Sequence, residues 1–187
     1  TAVLNGSRVA MSILRDGTAT KKYDFSEKSI KSLMFITDCL MAQQNYRTLT
    51  DCHWFYDGEN NCVEPTNVKT KNGLSWLREK FLRVSAQEKT AFMTTYPTLE
   101  KVAEAFSRWN ESEILDFVRG IPMVSMLKMS DSRSIHPLDY FHQKRNYIKL
   151  PDDVKVLRPK FRESANPPKI ISNDCDNIVP FKRPLVR

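Results

Sequence analysis

The chain of 187 residues has the length of one domain, or of one domain with a tail. Hydrophobic residues make up 41% of it, which excludes wholesale disorder. No apolar run approaches the ~18–20 residues that span a bilayer, and the chain opens on an apolar stretch without a signal peptide. We therefore expect a soluble, intracellular domain excised from a longer protein.

The four cysteines are scattered along the chain, at Cys39, Cys52, Cys62 and Cys175, and include no C-x-x-C pair. A chain of this size has enough core residues to fold without a disulfide framework. The cysteines and histidines also lack the paired spacing of zinc ligands. We expect reduced thiols, with Cys39 packed as a small hydrophobe on the apolar side of a helix.

The net charge of +7 is concentrated toward the end of the chain. From Lys144 to Arg187, 11 Lys and Arg residues stand against 5 Asp and Glu residues, and six of the ten prolines lie between Pro151 and Pro184. A basic, proline-rich segment at about residues 150–187 suits contact with phosphate groups on a surface. A solvated, irregular tail explains the same composition.

The first 58 residues predict a βαβ unit. Ala2-Val3-Leu4 has the continuous apolar character of a buried parallel strand, and Asn5-Gly6-Ser7 follows as its loop. Ser26 caps a helix, and His53–Tyr56 forms a second strand that Asp57-Gly58 ends. The apolar residues of the helix repeat at helical spacing, at Ile30, Leu33, Met34, Thr37, Leu40 and Met41. Two strands joined by a helix form a parallel pair with a right-handed crossover.

Helical patterns dominate after a polar loop over residues 57–71, and they predict a helical insertion at about residues 72–120. Three apolar faces mark its helices: Leu74, Leu77, Phe81 and Val84; Leu99, Val102, Ala103 and Phe106; Ile114, Leu115 and Val118. Trp76 and Trp109 are predicted to be core anchors.

The last third predicts two more strands, Met123–Leu127 and Lys169–Ile171, with a helix that starts at Pro137 between them. Ser172-Asn173-Asp174 follows the last strand. If these strands lie in one parallel sheet, this tripeptide, Asp139 and the loop after the first strand meet at its carboxyl edge, where α/β folds build their sites.

Three segments resemble, in order, motifs of the Regnase-type NYN ribonucleases. V-L-N-G-S-R-V-A-M (residues 3–11) resembles the family's first strand with its D-G-S-N-V-A motif. S-R-S-I-H-P-L-D-Y-F (132–141) resembles the stretch that leads to D-D-R-F, and I-I-S-N-D (170–174) matches V-S-N-D. The resemblance implies an α/β, PIN-like (Rossmannoid) fold over residues 1–187. This is a three-layer α/β/α domain with a mostly parallel central sheet.

The resemblance also implies a metal site, because clustered aspartates of that family hold Mg²⁺ or Mn²⁺ and activate water against an RNA phosphodiester. The implied catalytic residues are Asp139 and Asp174. Asn5, Asp139, Asp174 and Asp176 are the implied metal ligands of an active enzyme.

This chain departs from the family at its acidic positions. Asn5 replaces the central aspartate, Leu138 and Tyr140 replace the first aspartate and the arginine of D-D-R, and Ile178 stands at a further acidic position. Losing two or three carboxylates removes most of the charge that holds a metal. We therefore predict a degenerate domain with weak or no nuclease activity.

A cation, Arg8, stands where the family has asparagine, and we predict that it neutralises Asp139 or Asp174 in place of the metal. The residues predicted to contact single-stranded RNA are Arg8, Arg133, Lys144, Arg145, Lys182 and Arg183. The resemblance implies work in RNA silencing or mRNA decay, in the cytoplasm or its RNA granules. It also implies a protein partner, for which another NYN-domain protein is a candidate.

Two alternatives stay open. One is an active, metal-dependent endoribonuclease. The other is an unrelated α/β or mostly helical protein-interaction module, in which the matching motifs are ordinary turns. The chain has no G-x-x-x-x-G-K-[ST] loop and no G-x-G-x-x-G motif, so we expect no nucleotide cofactor.

Overall fold

A computed structural model describes residues 2–45, 47–66, 84–129, 133–141 and 148–151. The chain divides into two compact units, Thr1–Lys155 and Val156–Arg187, and all described residues belong to the first. The predicted helix at residues 74–81 with Trp76, the predicted strand at 169–171 and the basic segment beyond 151 lie outside the described residues.

The described residues form seven helices and a two-stranded antiparallel sheet. In chain order these are α1 Ala2–Ala19, α2 Glu27–Asn45, β1 His53–Asp57, β2 Cys62–Thr66, α3 Ala86–Thr95, α4 Pro97–Ala105, α5 Glu111–Arg119, α6 Pro122–Met129 and α7 Pro137–Tyr140. The prediction of a three-layer α/β/α fold with a parallel central sheet is therefore wrong. Helices build this core, and the sheet is a hairpin at its side.

Helix α2 lies at the centre of the core, where it contacts α1, α4, α5, α7 and β2. The helix starts as predicted, since Ser26 Oγ accepts a hydrogen bond of 3.1 Å from the backbone N–H of Ser29. Every residue from Ser29 to Gln43 except Lys31 is buried. A helix that is buried on all sides has to be surrounded by other elements, and this explains why so many helices pack on α2.

Helix α1 replaces the predicted first strand and its loop. The four most buried positions of α1 repeat at i, i+3, i+4 and i+7, which is one stripe of a helix: Ser7, Ala10, Met11 and Leu14. This stripe runs straight through the predicted turn at Asn5-Gly6-Ser7. Burial against the rest of the core has overridden the local turn signal.

Gly6 serves the packing of α1 and not a turn. A Cβ atom at this position would lie 2.8 Å from the backbone oxygen of Leu49, which is closer than such atoms approach. Glycine therefore lets α1 lie directly against the chain that leads into β1.

The sheet consists of β1, which confirms the predicted strand, and β2, which falls in a region predicted to be loop. They pair antiparallel from His53 with Thr66 to Asp57 with Cys62. Asp57 Oδ1 closes the turn by accepting from the backbone N–H of Glu59 at 3.0 Å. The predicted parallel βαβ unit is wrong, because its first strand is a helix and its second strand belongs to a hairpin.

The other edge of β1 is also paired. Trp54 and Ile135 exchange two backbone hydrogen bonds, of 2.8 and 2.9 Å, in an antiparallel bridge. This bridge leads into α7, whose start at Pro137 confirms the predicted helix as a single turn. Phe141 then enters the core with 1% of its surface exposed.

Helices α4 and α5 confirm the predicted apolar faces, with Leu99, Val102, Ile114 and Val118 buried. Trp109 between them confirms its predicted role as a core anchor. Its ring contacts that of Phe106 at 4.9 Å between centroids and packs against the hydrophobic core.

The predicted strand at Met123–Leu127 is helix α6. Pro122 occupies the first helical position, which its fixed φ favours. Met123, Val124 and Leu127 are buried, a spacing that puts all three on one side of a helix but on both sides of a strand.

Asp38 of α2 holds the chain between α2 and the hairpin. Its carboxylate is fully buried and accepts from the Thr50 backbone N–H at 2.9 Å, the Thr50 hydroxyl at 2.5 Å and the Trp54 indole N–H at 3.0 Å. Burial raises the pKa of Asp38 to about 7, and the three donors limit this rise.

We expect Asp38→Asn to lower the free energy of unfolding by about 1–3 kcal/mol at about pH 5, because an amide N–H₂ then faces the Trp54 indole N–H and leaves it unpaired. The raised pKa adds a pH dependence of defined sign. The stability contributed by Asp38 is complete below its ordinary pKa of 3.8 and is lost as the pH rises through about 7. The difference between wild type and variant in urea unfolding should therefore shrink from about pH 5 to about pH 8. A constant difference over this range would contradict the assignment.

We expect Gly6→Ala to destabilise the domain by about 1–3 kcal/mol through the clash with Leu49. This loss has to exceed the gain of about 1 kcal/mol in helix propensity. Gly58→Ala is the matched control, because nothing lies within 4 Å of a Cβ atom there. Thermal unfolding measures both variants, and an unchanged or raised Tm in Gly6→Ala would show that α1 packs differently.

Candidate interaction surface

The two predicted acidic-site residues that are described lie in helices. Asn5 belongs to the first turn of α1, and Asp139 lies exposed in α7. The predicted convergence at the carboxyl edge of a parallel sheet is therefore wrong for this pair. Asp174 and Asp176 lie outside the described residues.

The divalent metal stays a prediction. In the part of the chain that the structure describes, no group of three or more His, Cys, Asp or Glu side chains is placed to hold a metal ion. We derive no chemical step through a metal.

Arg8 pairs with an acid that the sequence did not indicate. Its Nη2 donates to Glu88 Oε1 at 3.3 Å, and this contact joins α1 to the start of α3. Glu88 also accepts from the Ser85 backbone N–H in the capping box of α3, and this hydrogen bond is the main reason why the pKa of Glu88 lies below its usual range. The partner of Arg8 is thus Glu88, and not the predicted Asp139.

RNA contact by the predicted cations stays a prediction as well. Arg133 is exposed just before the Ile135 bridge. Lys144, Arg145, Lys182 and Arg183 lie outside the described residues.

The exposed large hydrophobic side chains of the described residues are Met126 and Met129, which are 48% and 84% exposed. Both belong to α6 and stand three positions apart, so they neighbour one another on its surface. The opposite side of α6, with Met123, Val124 and Leu127, is buried. The two methionines therefore project from a helix whose position the core fixes.

Two basic side chains lie near Tyr56 of β1. Lys128 of α6 places its Nζ 4.7 Å from the ring centroid of Tyr56 in β1. Arg119 of α5 pairs with Asp116 and also interacts electrostatically with Tyr56. We call the exposed face of α6, with Met126, Met129 and Lys128, the α6 patch.

The histidines near this hairpin have a structural role in the folded chain. His136 Nδ1 accepts from the Leu138 backbone N–H at 3.2 Å and so caps α7. Its ring meets that of His53 at 5.4 Å between centroids. Burial and the neighbouring His53 hold the pKa of His136 below its usual range, although Asp139 and Asp51 oppose this shift.

The segment that is predicted to be a strand also contains the sequence pattern of the α6 patch. In P-M-V-S-M-L-K-M (residues 122–129), helical periodicity separates a buried set of apolar residues from an exposed pair. Strand periodicity distributes these residues over both faces of a strand, so it does not predict the exposed pair of methionines.

Comparison of the chain with protein families, curated proteins and solved structures gives no match. None of the described helices is both long and apolar enough to cross a membrane.

We expect His136→Asn to reduce the loss of stability in acid. A folded-state pKa below the ordinary 6.5 means that the contribution of His136 is complete above that pH and is lost as the pH falls below it. Asparagine keeps an acceptor for the cap but does not titrate. Urea unfolding at about pH 7 and about pH 5 measures the change, and equal acid sensitivity of wild type and variant would contradict it.

Proposed function

We propose that this domain is a protein-interaction module that binds an acidic amphipathic helix of a partner protein on the α6 patch. The observation that carries the proposal is the pair of exposed methionines, Met126 and Met129, on a helix anchored in the core. A single exposed apolar side chain is ordinary on a protein surface. Two large ones, adjacent on one helix, favour a surface that a partner covers.

Methionine suits this task because its unbranched, polarisable side chain adapts to the shape of a partner. An amphipathic helix presents apolar residues at i, i+3, i+4 and i+7, and such a row can lie along the two methionines. The buried side of α6 fixes the backbone under them, so binding orders mainly the side chains of Met126 and Met129 and loses little conformational entropy.

Charge sets the preferred partner. Lys128 of the same helix is exposed. A partner with glutamate and aspartate beside its apolar face gains attraction to this lysine and associates faster. A basic partner meets repulsion at the same place.

The ribonuclease-like function implied by the resemblance is not supported by the described fold, and RNA is the competing ligand in the test. The α6 patch favours a protein partner over RNA because its centre is apolar and it lacks an array of cations along a groove.

The test uses a labelled designed helix with leucine at i, i+3, i+4 and i+7 and glutamate on its other face. We expect fluorescence anisotropy to show a Kd of about 1–100 μM, which corresponds to roughly 5.5–8 kcal/mol of binding free energy. Met126→Glu and Met129→Glu should each weaken binding about tenfold, by removing apolar contact and adding a repelled charge. Thr94→Glu is the matched control, since Thr94 is exposed on a different helix, α3.

Two further ligands separate the outcomes. A helix with the same leucines and lysine instead of glutamate should bind at least about tenfold more weakly, and salt should weaken binding of the acidic helix. A labelled single-stranded RNA is measured in parallel. Equal binding of the acidic helix to the wild type and to both methionine variants would overturn the proposal, as would RNA binding in the absence of any helix binding.

A further inference from the structure

The methionines of this chain differ sharply in their exposure to solvent. All seven lie in the part of the chain that the structure describes. Met126 and Met129 are 48% and 84% exposed, whereas Met93 of α3 is half-buried against the core. The other four are at most 1% exposed: Met11, Met34, Met41 and Met123. The thioether sulfurs that solvent reaches most easily thus belong to one face of one helix, and this face is the α6 patch.

Exposure of a thioether has a chemical consequence, because peroxides oxidise methionine to methionine sulfoxide. A lone pair of the sulfur forms the new S–O bond while the O–O bond of hydrogen peroxide breaks. The hydroxide that leaves takes the proton of the transferred hydroxyl, so the products are the sulfoxide and water. The sulfur loses two electrons and the peroxide gains them.

The sulfoxide changes what the α6 patch can bind. Oxidation turns a flexible apolar side chain into a polar one, whose oxygen accepts hydrogen bonds from water. Burying that oxygen against the apolar face of a partner helix, which offers no donor, is unfavourable. Met126 and Met129 neighbour one another on α6, so both oxidations act on the same contact.

The fold itself is protected from the same oxidant. Helix α6 is anchored by Met123, Val124 and Leu127, which are buried. Hydrogen peroxide reaches a buried sulfur only when the structure around it opens. Oxidation at the exposed positions therefore adds a polar group to the patch and none to the core.

We infer that Met126 and Met129 form a redox-sensitive modification site, at which oxidation by hydrogen peroxide releases the partner helix from the α6 patch. This inference rests on the proposed function, since it concerns the regulation of the same surface. Methionine sulfoxide reductases convert the sulfoxide back to the thioether, so the release is reversible.

The first measurement needs no partner. The full chain is treated with limiting hydrogen peroxide, and mass spectrometry of its proteolytic peptides gives the oxidation rate of each methionine. We expect Met126 and Met129 to react at least about tenfold faster than the buried methionines, whose reaction requires opening of the core. Equal rates at exposed and buried positions would overturn the inference.

The second measurement is the binding of the labelled acidic helix to the same sample, by fluorescence anisotropy. Oxidation of both methionines should raise the Kd at least about fivefold, because the contact becomes polar. Two reductases, one for each sulfoxide epimer, should restore the original Kd. The Tm should stay within about 3 °C, as for other changes at exposed positions. A rise in Kd together with a much lower Tm would show damage to the core and would overturn the inference.

Variants assign the effect to the patch. The chain with both Met126→Leu and Met129→Leu keeps apolar side chains that peroxide does not oxidise, so we expect its Kd to be the same before and after treatment. Met93→Leu is the matched control and should lose affinity on treatment as the wild type does. Cys175 is present in all these chains, so its reaction with peroxide cannot explain a difference between them.

The outcomes separate this inference from the proposed function. An unchanged Kd in a wild-type chain with both methionines oxidised would overturn the inference and leave the proposed function in place. The same holds if the double leucine variant loses affinity on treatment as much as the wild type. Failure of the untreated wild type to bind the helix would overturn the proposed function, and the release with it.

Discussion

The buried carboxylate of Asp38 is the contact on which the described fold most depends. It ties the middle of α2 to Thr50 and Trp54, and so sets where the chain enters β1. The position of Trp54 in turn sets that of Ile135, and through it the start of α7. A buried carboxyl group without its hydrogen-bond partners is costly, so this group favours only the arrangement in which Thr50 and Trp54 are in place. The hairpin and α7 thus share Asp38 as an attachment to the central helix α2.

The sequence predicts the elements whose patterns are long or well capped. Helix α2, the apolar faces of α4 and α5 and the strand β1 could all be read from periodicity and caps. The elements that the sequence did not predict also have a physical explanation. In α1 a helical stripe passes through Asn5-Gly6-Ser7, and only the contact of Gly6 with Leu49 shows why the glycine is there. Pro65 explains why β2 is not predicted from the sequence, because proline is tolerated in an edge strand but rarely indicates one. The predicted parallel sheet is wrong because it depended on the predicted strand at Ala2-Val3-Leu4. The predicted meeting of polar residues at the strand ends depended on that sheet.

The α6 patch and the long-range contacts depend on tertiary structure more than the elements do. Whether Met126 is inside or outside changes with the period assigned to residues 122–129, and a short apolar run does not decide between the two periods. The hydrogen bonds between the Gln43 side chain and the backbone of Ile148 join residues 105 positions apart, and no local sequence pattern predicts such a pairing. The Arg8–Glu88 pair spans 80 positions in the same way. Sequence motifs pointed instead to strand ends, whereas the structure places Asn5 and Asp139 in helices.

The cysteines of the described residues give the domain a built-in reporter of its own opening. Cys39, Cys52 and Cys62 are all buried, and burial raises the pKa of each thiol, that of Cys62 to about 11. A thiol reagent attacks the thiolate, which is both hidden and scarce in the closed chain at neutral pH. Labelling of these three sulfurs is therefore limited by how often the structure around each one opens. Cys39 in the central helix reports on the whole core, whereas Cys62 reports on the hairpin alone, so their relative labelling rates resolve local from global unfolding without an introduced cysteine.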